Sequence, residues 1–235
     1  MKRFAFLLLC ALSVVMTAPK AHANAEDILL LGFTGFDYED PNTNPGTYLD
    51  LLEGYKVLGT LTSVGSYLDP YVDPSVNEYT IYVRDLTVNG RFFTFPNLTV
   101  TFFNGGRSSY YEDPIAGGTA ANYGINPPNA TAPSTFIDGA MQITGSVDNF
   151  VLTYNFTTKT GNFFGDMTLD GGPMLVYVPP GQRAGWILAG INDLGLNGNP
   201  SVPQGYDHQV DGECRIPGKT PATHKTWGAV KALYR

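Results

Sequence analysis

The chain has 235 residues, with 14 lysines and arginines against 21 aspartates and glutamates and a formal net charge of −7. An acidic chain is repelled by nucleic acid and anionic lipid, which argues against both as partners for its body. Of its 2 cysteines, Cys10 lies in the N-terminal apolar run; Cys214 then has no intrachain partner, and stability must come from buried core or a bound ion.

Lys2 and Arg3 precede an apolar run from Phe4 to Met16, followed by Ala21-His22-Ala23. A basic start, an apolar span short for a bilayer, and small residues at the A-x-A positions describe a cleavable secretory signal over residues 1–23. The expected location is therefore exported: secreted, periplasmic or at the cell surface. Cleavage leaves 11 basic and 21 acidic residues, and from Arg215 onward the chain holds five basic residues and no acidic one. Residues 24–216 read as one β domain and residues 217–235 as a basic tail.

The first strand is expected over Ile28–Asp37, where a near-continuous apolar start suggests cover on both faces. Tyr55–Tyr67 reads as the next. From Glu78 to Asp113, Tyr79, Ile81 and Val83 alternate with Thr80, Tyr82 and Arg84. Beyond Asn89-Gly90, Leu98, Val100 and Phe102 alternate with Thr99, Thr101 and Phe103. With a further turn at Asn104-Gly105-Gly106 and a third run at Tyr110-Tyr111, this predicts a three-stranded meander. Pro114–Ser134, dense in Gly, Ala, Asn and Pro, is the longest irregular piece, and loops of that length are usually functional or mobile. Phe136–Val147, Phe150–Thr157 and Gly161–Asp170 predict a second meander, turning at Asp148-Asn149 and at Lys159-Thr160-Gly161. Met174–Val178, Trp186–Ile191 and Tyr206–Ile216 complete the set.

The sum is about ten or eleven strands with almost no helix, which predicts an all-β antiparallel β-sandwich. An outer-membrane β-barrel uses the same alternation and is the architectural alternative; long proline-rich loops weigh against it. In the tail, Thr226 can cap one short helix with Trp227, Val230 and Tyr234 on one side. The charge contrast suggests docking on the acidic body or on a partner.

Asp37, Glu39, Asp40, Asn42 and Asn44 place hard oxygen ligands at alternating positions, like part of a calcium loop. The glycine comes one place late, at Gly46, and Leu51 stands where a bidentate acid belongs; an Asx-rich turn accounts for the same residues. Cofactors therefore stand as none, with calcium the one candidate. His208 and His224 are the only histidines beyond the signal, too few for a zinc cluster, and no nucleophile elbow or phosphate loop is present. Glu39, Glu53, Glu78, Glu112 and Glu213 could supply a glycosidase pair, but their spacing selects none. Fourteen tyrosines and Trp186 could offer aromatic platforms to a glycan or cell-surface component.

The strings EYTIYV, YYEDP, TFIDGAMQITG, GWILAGI and VPQGYDHQVDGE, in this order, are similar to uncharacterised exported β-domain proteins of bacteria. That resemblance implies a β-sandwich and no assigned activity. The leading expectation is a non-enzymatic secreted module with a structural, adhesive or ligand-binding role. The alternatives are a carbohydrate-active module and an outer-membrane barrel.

Overall fold

The structure is a computed structural model that describes residues 27–41, 49–94, 97–193 and 201–217. The expected signal over residues 1–23, Asn42, Asn44 and the expected tail helix beyond Pro217 lie outside the described residues. Among the described residues nine strands form: β1 (Ile28–Glu39), β2 (Gly54–Val64), β3 (Asn77–Thr94), β4 (Leu98–Phe103), β5 (Gly106–Pro114), β6 (Ala140–Asn155), β7 (Thr160–Gly171), β8 (Trp186–Asp193) and β9 (His208–Ile216). Period-two alternation is seen most cleanly in β7. There Phe163, Gly165, Met167 and Leu169 are buried while Phe164, Asp166, Thr168 and Asp170 are exposed.

The expected sandwich is not what these strands build. β1 pairs antiparallel with β2 on one side and with β9, the last strand, on the other, so the sheet closes on itself. β4 and β5 both lie between β3 and β6 and share one position, giving an eight-stranded antiparallel barrel. A sandwich leaves edge strands in each of two sheets, whereas closure removes every edge. Alternation specifies a buried and an exposed face in both architectures, and it is silent on which strands meet.

Several expected hairpin turns are bends within longer strands. β3 runs through Asn89-Gly90, with a register shift there. Asn104-Gly105 separates β4 from β5 without reversing the chain, since both strands run antiparallel to β3. Asp148-Asn149 is a bulge inside β6, with Asn149 at φ 51°, so Phe136–Val147 and Phe150–Thr157 contribute to one strand. Residues that tolerate positive φ serve a bulge as well as a hairpin, and a barrel needs bulges to coil long strands. Met174–Val178 is not a strand: residues Pro173–Tyr177 form a short 3-10 turn.

The barrel interior is a packed core. Trp186, Phe33, Phe150 and Phe163 are joined by Leu152, Leu188, Val57 and Val210, all nearly inaccessible to solvent. Gly190 and Gly212 stand directly opposite each other on β8 and β9. A Cβ on Gly190 would lie 2.5 Å from the Phe163 ring, and one on Gly212 would strike Phe33. These two glycines therefore make the room that the two rings fill. Buried Leu68, Met174 and Val178 cap the end of the barrel where β1 begins and β9 finishes.

A second apolar layer lies outside the strands. Tyr38, Leu58 and Tyr82, on the outer face of β1, β2 and β3, pack against Ala132, Phe136 and Tyr206. Thr80 Oγ1 donates to the Phe136 carbonyl at 2.7 Å, and the Tyr206 hydroxyl donates to the Tyr123 carbonyl at 2.7 Å. The long segment after β5 is thus bonded against the barrel wall. This layer covers β1 at Phe36 and Tyr38, near its end, whereas Leu30, Leu31 and Phe33 of its apolar start belong to the interior core.

Candidate functional site

Two features stand out from an otherwise conventional barrel: a buried polar cluster at one end and a cavity on the outside. The cluster lies at the end where β1 finishes and β9 begins. Asp37, wholly buried, accepts the His208 backbone N–H at 2.7 Å, and His208 Nδ1 lies 3.0 Å from both of its oxygens. Asn192 Nδ2 donates to Asp37 at 2.6 Å and to the Tyr55 hydroxyl at 3.1 Å. One carboxylate thereby joins the ends of β1, β2, β8 and β9. An Asp–His pair can orient an imidazole for proton transfer, but His208 is only 2% exposed, and here the pair ties the end of β1 to the start of β9.

Glu39, Glu53 and Asp207 surround this network. Glu39 Oε1 accepts the Leu49 N–H at 2.5 Å and Glu53 Oε2 accepts the Asp50 N–H at 2.5 Å. They hold a turn in which Leu49 and Leu52 both take positive φ, 54° and 73°, a conformation unfavourable for leucine. Burial pushes the Glu39 carboxyl up to about 7, despite the Leu49 N–H, and neighbouring Glu53 and Asp37 add to the rise. Burial likewise raises Asp207 far above the ordinary carboxylic range, with Asp37, Glu39 and Glu53 reinforcing it. Burial and the neighbouring carboxylates thus favour the protonated forms of Glu39 and Asp207.

The outer cavity has a volume of about 410 Å³ and lies between the outer face of β3 and β5 and the start of the long loop. Glu78 and Asp113 are direct cross-strand partners, so their side chains share one face, and both line the cavity. The loop is strapped over them. Asp113 Oδ2 accepts the Thr119 N–H at 3.1 Å, Glu78 Oε2 accepts the Ala121 N–H at 2.8 Å, and the Gly118 N–H donates to the Pro114 carbonyl at 3.0 Å. Gly118 has no side chain because a Cβ there would collide with that carbonyl. Leu61, Pro74, Pro114 and Ile115 supply apolar wall.

The residues suggested for calcium are placed as follows. Asp37 and Glu39 belong to the buried cluster, Asp40 is ion-paired with Lys56, and Asn42 and Asn44 lie outside the described residues. Among the described residues, no group of three or more His, Cys, Asp or Glu side chains is arranged to hold a metal ion. Of the glutamates weighed as an acid pair, the structure brings Glu39 and Glu53 together. Glu112 instead bonds Asn77, Tyr79 and Gln142, and Glu213 sits against Arg215. Glu78 gains its carboxylate neighbour from Asp113, at the Asp113-Pro114 step that ends β5. The register between β3 and β5 is the signal that joins them. Trp186, considered for a sugar platform, is wholly buried and donates its indole N–H to the Gln182 carbonyl at 2.7 Å. Cys214 is buried as well, its thiol pushed far up by burial and 3.5 Å from Met167 Sδ. It is an inert core residue.

Comparison with known proteins returned no match to a family model, to a curated protein or to a solved structure.

Proposed function

We propose that this protein is an exported, non-catalytic binding module: a rigid closed barrel with a water-facing exterior that holds a small ligand in the cavity on its outside. The observation that carries this reading is the contrast between the two spaces. The barrel interior is filled with aromatic and aliphatic side chains, whereas the outer cavity of about 410 Å³ is open beneath a strapped loop. Small-molecule sites commonly occupy roughly 300–1,000 Å³ and combine apolar walls with a few converging polar groups. Export rests on the basic and apolar N-terminal segment with its A-x-A site. The test is to replace Ile115 with Trp, which fills the cavity from an exposed position, and to compare wild type and variant across a panel of small metabolites by thermal shift. Loss of a wild-type stabilisation in the variant supports the reading; equal stabilisation of both contradicts it.

A second reading is a barrel embedded in an outer membrane, and one observation favours it. Phe102, Val151, Phe164 and Ala189 are successive register partners across β4, β6, β7 and β8, with Ile191 also exposed, forming an apolar row on the outer face. The same face carries Asp148, Asp166, Asp170 and Asp211, all exposed, and the interior is apolar rather than polar, which is the reverse of a lipid-facing barrel. Purification decides between the two: the proposed module stays in solution without detergent, and a membrane barrel does not.

A further inference from the structure

We infer that the outer cavity takes a small organic cation, an ammonium or guanidinium group carried on an apolar body. This rests on the reading of that cavity as a binding site and adds the chemistry of its occupant. Three observations on the wall support it. First, Glu78 and Asp113 stand directly opposite each other on adjacent antiparallel strands, an arrangement in which like charges destabilise the sheet. Both are half-buried, so water screens their repulsion less than it would at an open surface. Second, each carboxylate uses one oxygen to hold the loop, through the Ala121 and Thr119 amides. Glu78 Oε1 and Asp113 Oδ1 have no protein hydrogen-bond donor among the described residues. Third, no lysine or arginine among the described residues lines the cavity. Arg84 and Arg107, farther along the same two strands, are engaged by Asp85 and Asp170.

A cation placed between the two carboxylates relieves the repulsion and supplies the missing donors. The volume argues for an organic cation over a bare metal ion. An ion would occupy a small part of about 410 Å³ and leave Leu61, Pro74, Pro114 and Ile115 facing water, whereas a hydrocarbon body covers them. A ligand with a carboxylate or phosphate at the same point would meet two negative charges and no positive one, so anions are rejected.

The experiment is a two-dimensional amide NMR titration of the whole chain with n-pentylamine, using 1-pentanol, sodium pentanoate and calcium chloride as comparison probes. The Thr119 and Ala121 amides are the reporters, because each donates to one of the two carboxylates. Saturable movement of both with pentylamine is expected, together with at least tenfold weaker or undetectable effects from pentanol, pentanoate and calcium. In a Glu78→Gln/Asp113→Asn variant, which keeps an acceptor for each amide, the pentylamine response should be lost. The thermal midpoint of that variant without ligand should equal or exceed that of wild type, since a repulsion has been removed. Saturation by pentanol or pentanoate, but not by pentylamine, would overturn the cation while leaving the cavity a binding site. Saturation by calcium alone would replace the organic cation with a metal. Failure of all four probes to move the two reporters would sink both the cation and the binding-site reading.

Discussion

Replacing Glu39 with glutamine should flatten the pH dependence of stability. Glu39 is 8% exposed, and its carboxyl is held at about 7 against an ordinary value of 4.5, chiefly by burial. The folded state therefore binds this proton more tightly than the unfolded chain does. Its contribution to stability is fully present below about 4.5, declines as pH rises, and is lost once pH has passed through about 7. At ~1.4 kcal/mol for each tenfold change in proton affinity, this single group costs the wild type about 2–3 kcal/mol between pH 5 and pH 8. The glutamine amide carries no charge and still offers an oxygen to the Leu49 N–H, so the change leaves the turn its acceptor. The assay is urea unfolding of wild type and Glu39→Gln at pH 5, 6, 7 and 8, followed by fluorescence. The difference in stability between the two proteins should shift in favour of the variant by about 2–3 kcal/mol across that range. Asp207, raised in the same direction, should leave a residual decline in both proteins. A wild type and variant with parallel pH profiles would show that Glu39 is ionised in the fold, and the reasoning about the crowded cluster would fail.

Three other outcomes follow from packing and backbone geometry. Leu52 is 72% exposed at φ 73°, so Leu52→Gly should raise the unfolding free energy by about 1 kcal/mol, whereas an unstrained turn would lose stability to the added freedom of glycine. Gly212→Ala drives a methyl group into the Phe33 ring and should cost about 1–3 kcal/mol; adding Phe33→Leu should recover part of that loss, and strictly additive effects would separate the two sites. The Cys214 thiol should resist a disulfide reagent in the native protein and react at once in denaturant, and rapid native reaction would place it at the surface.

Strand positions were largely legible because β7 and the middle of β3 carry unbroken two-residue alternation. Closure was not. It lies in the pairing of β1 with β9, the first and last of the described strands, and the fit of Gly190 and Gly212 against Phe163 and Phe33 leaves no periodic trace either. Asn-Gly and Asp-Asn pairs were legible as places where φ turns positive, but a bulge and a hairpin make the same local demand, and only the partner strand separates them. The buried cluster was visible in part, as Asp37 and Glu39 two residues apart and thus on one face of β1. Asn192 and His208 reach it from β8 and β9, and Glu53 and Asp207 from the residues just before β2 and β9, so their places depend on barrel closure. For the outer cavity, Glu78 and Asp113 were individually ordinary; 35 positions of chain separate them, and their adjacency follows from a register that no hairpin turn announces.

The claim on which the rest depends is that β1 is bonded on both sides. Nuclear Overhauser contacts measured along β1 test it directly. The account predicts cross-strand contacts from Gly35 to Gly59 and also from Gly35 to Val210. Contacts to β2 alone, with the β9 amides exchanging as a free edge, would contradict the barrel and return the strands to two separate sheets.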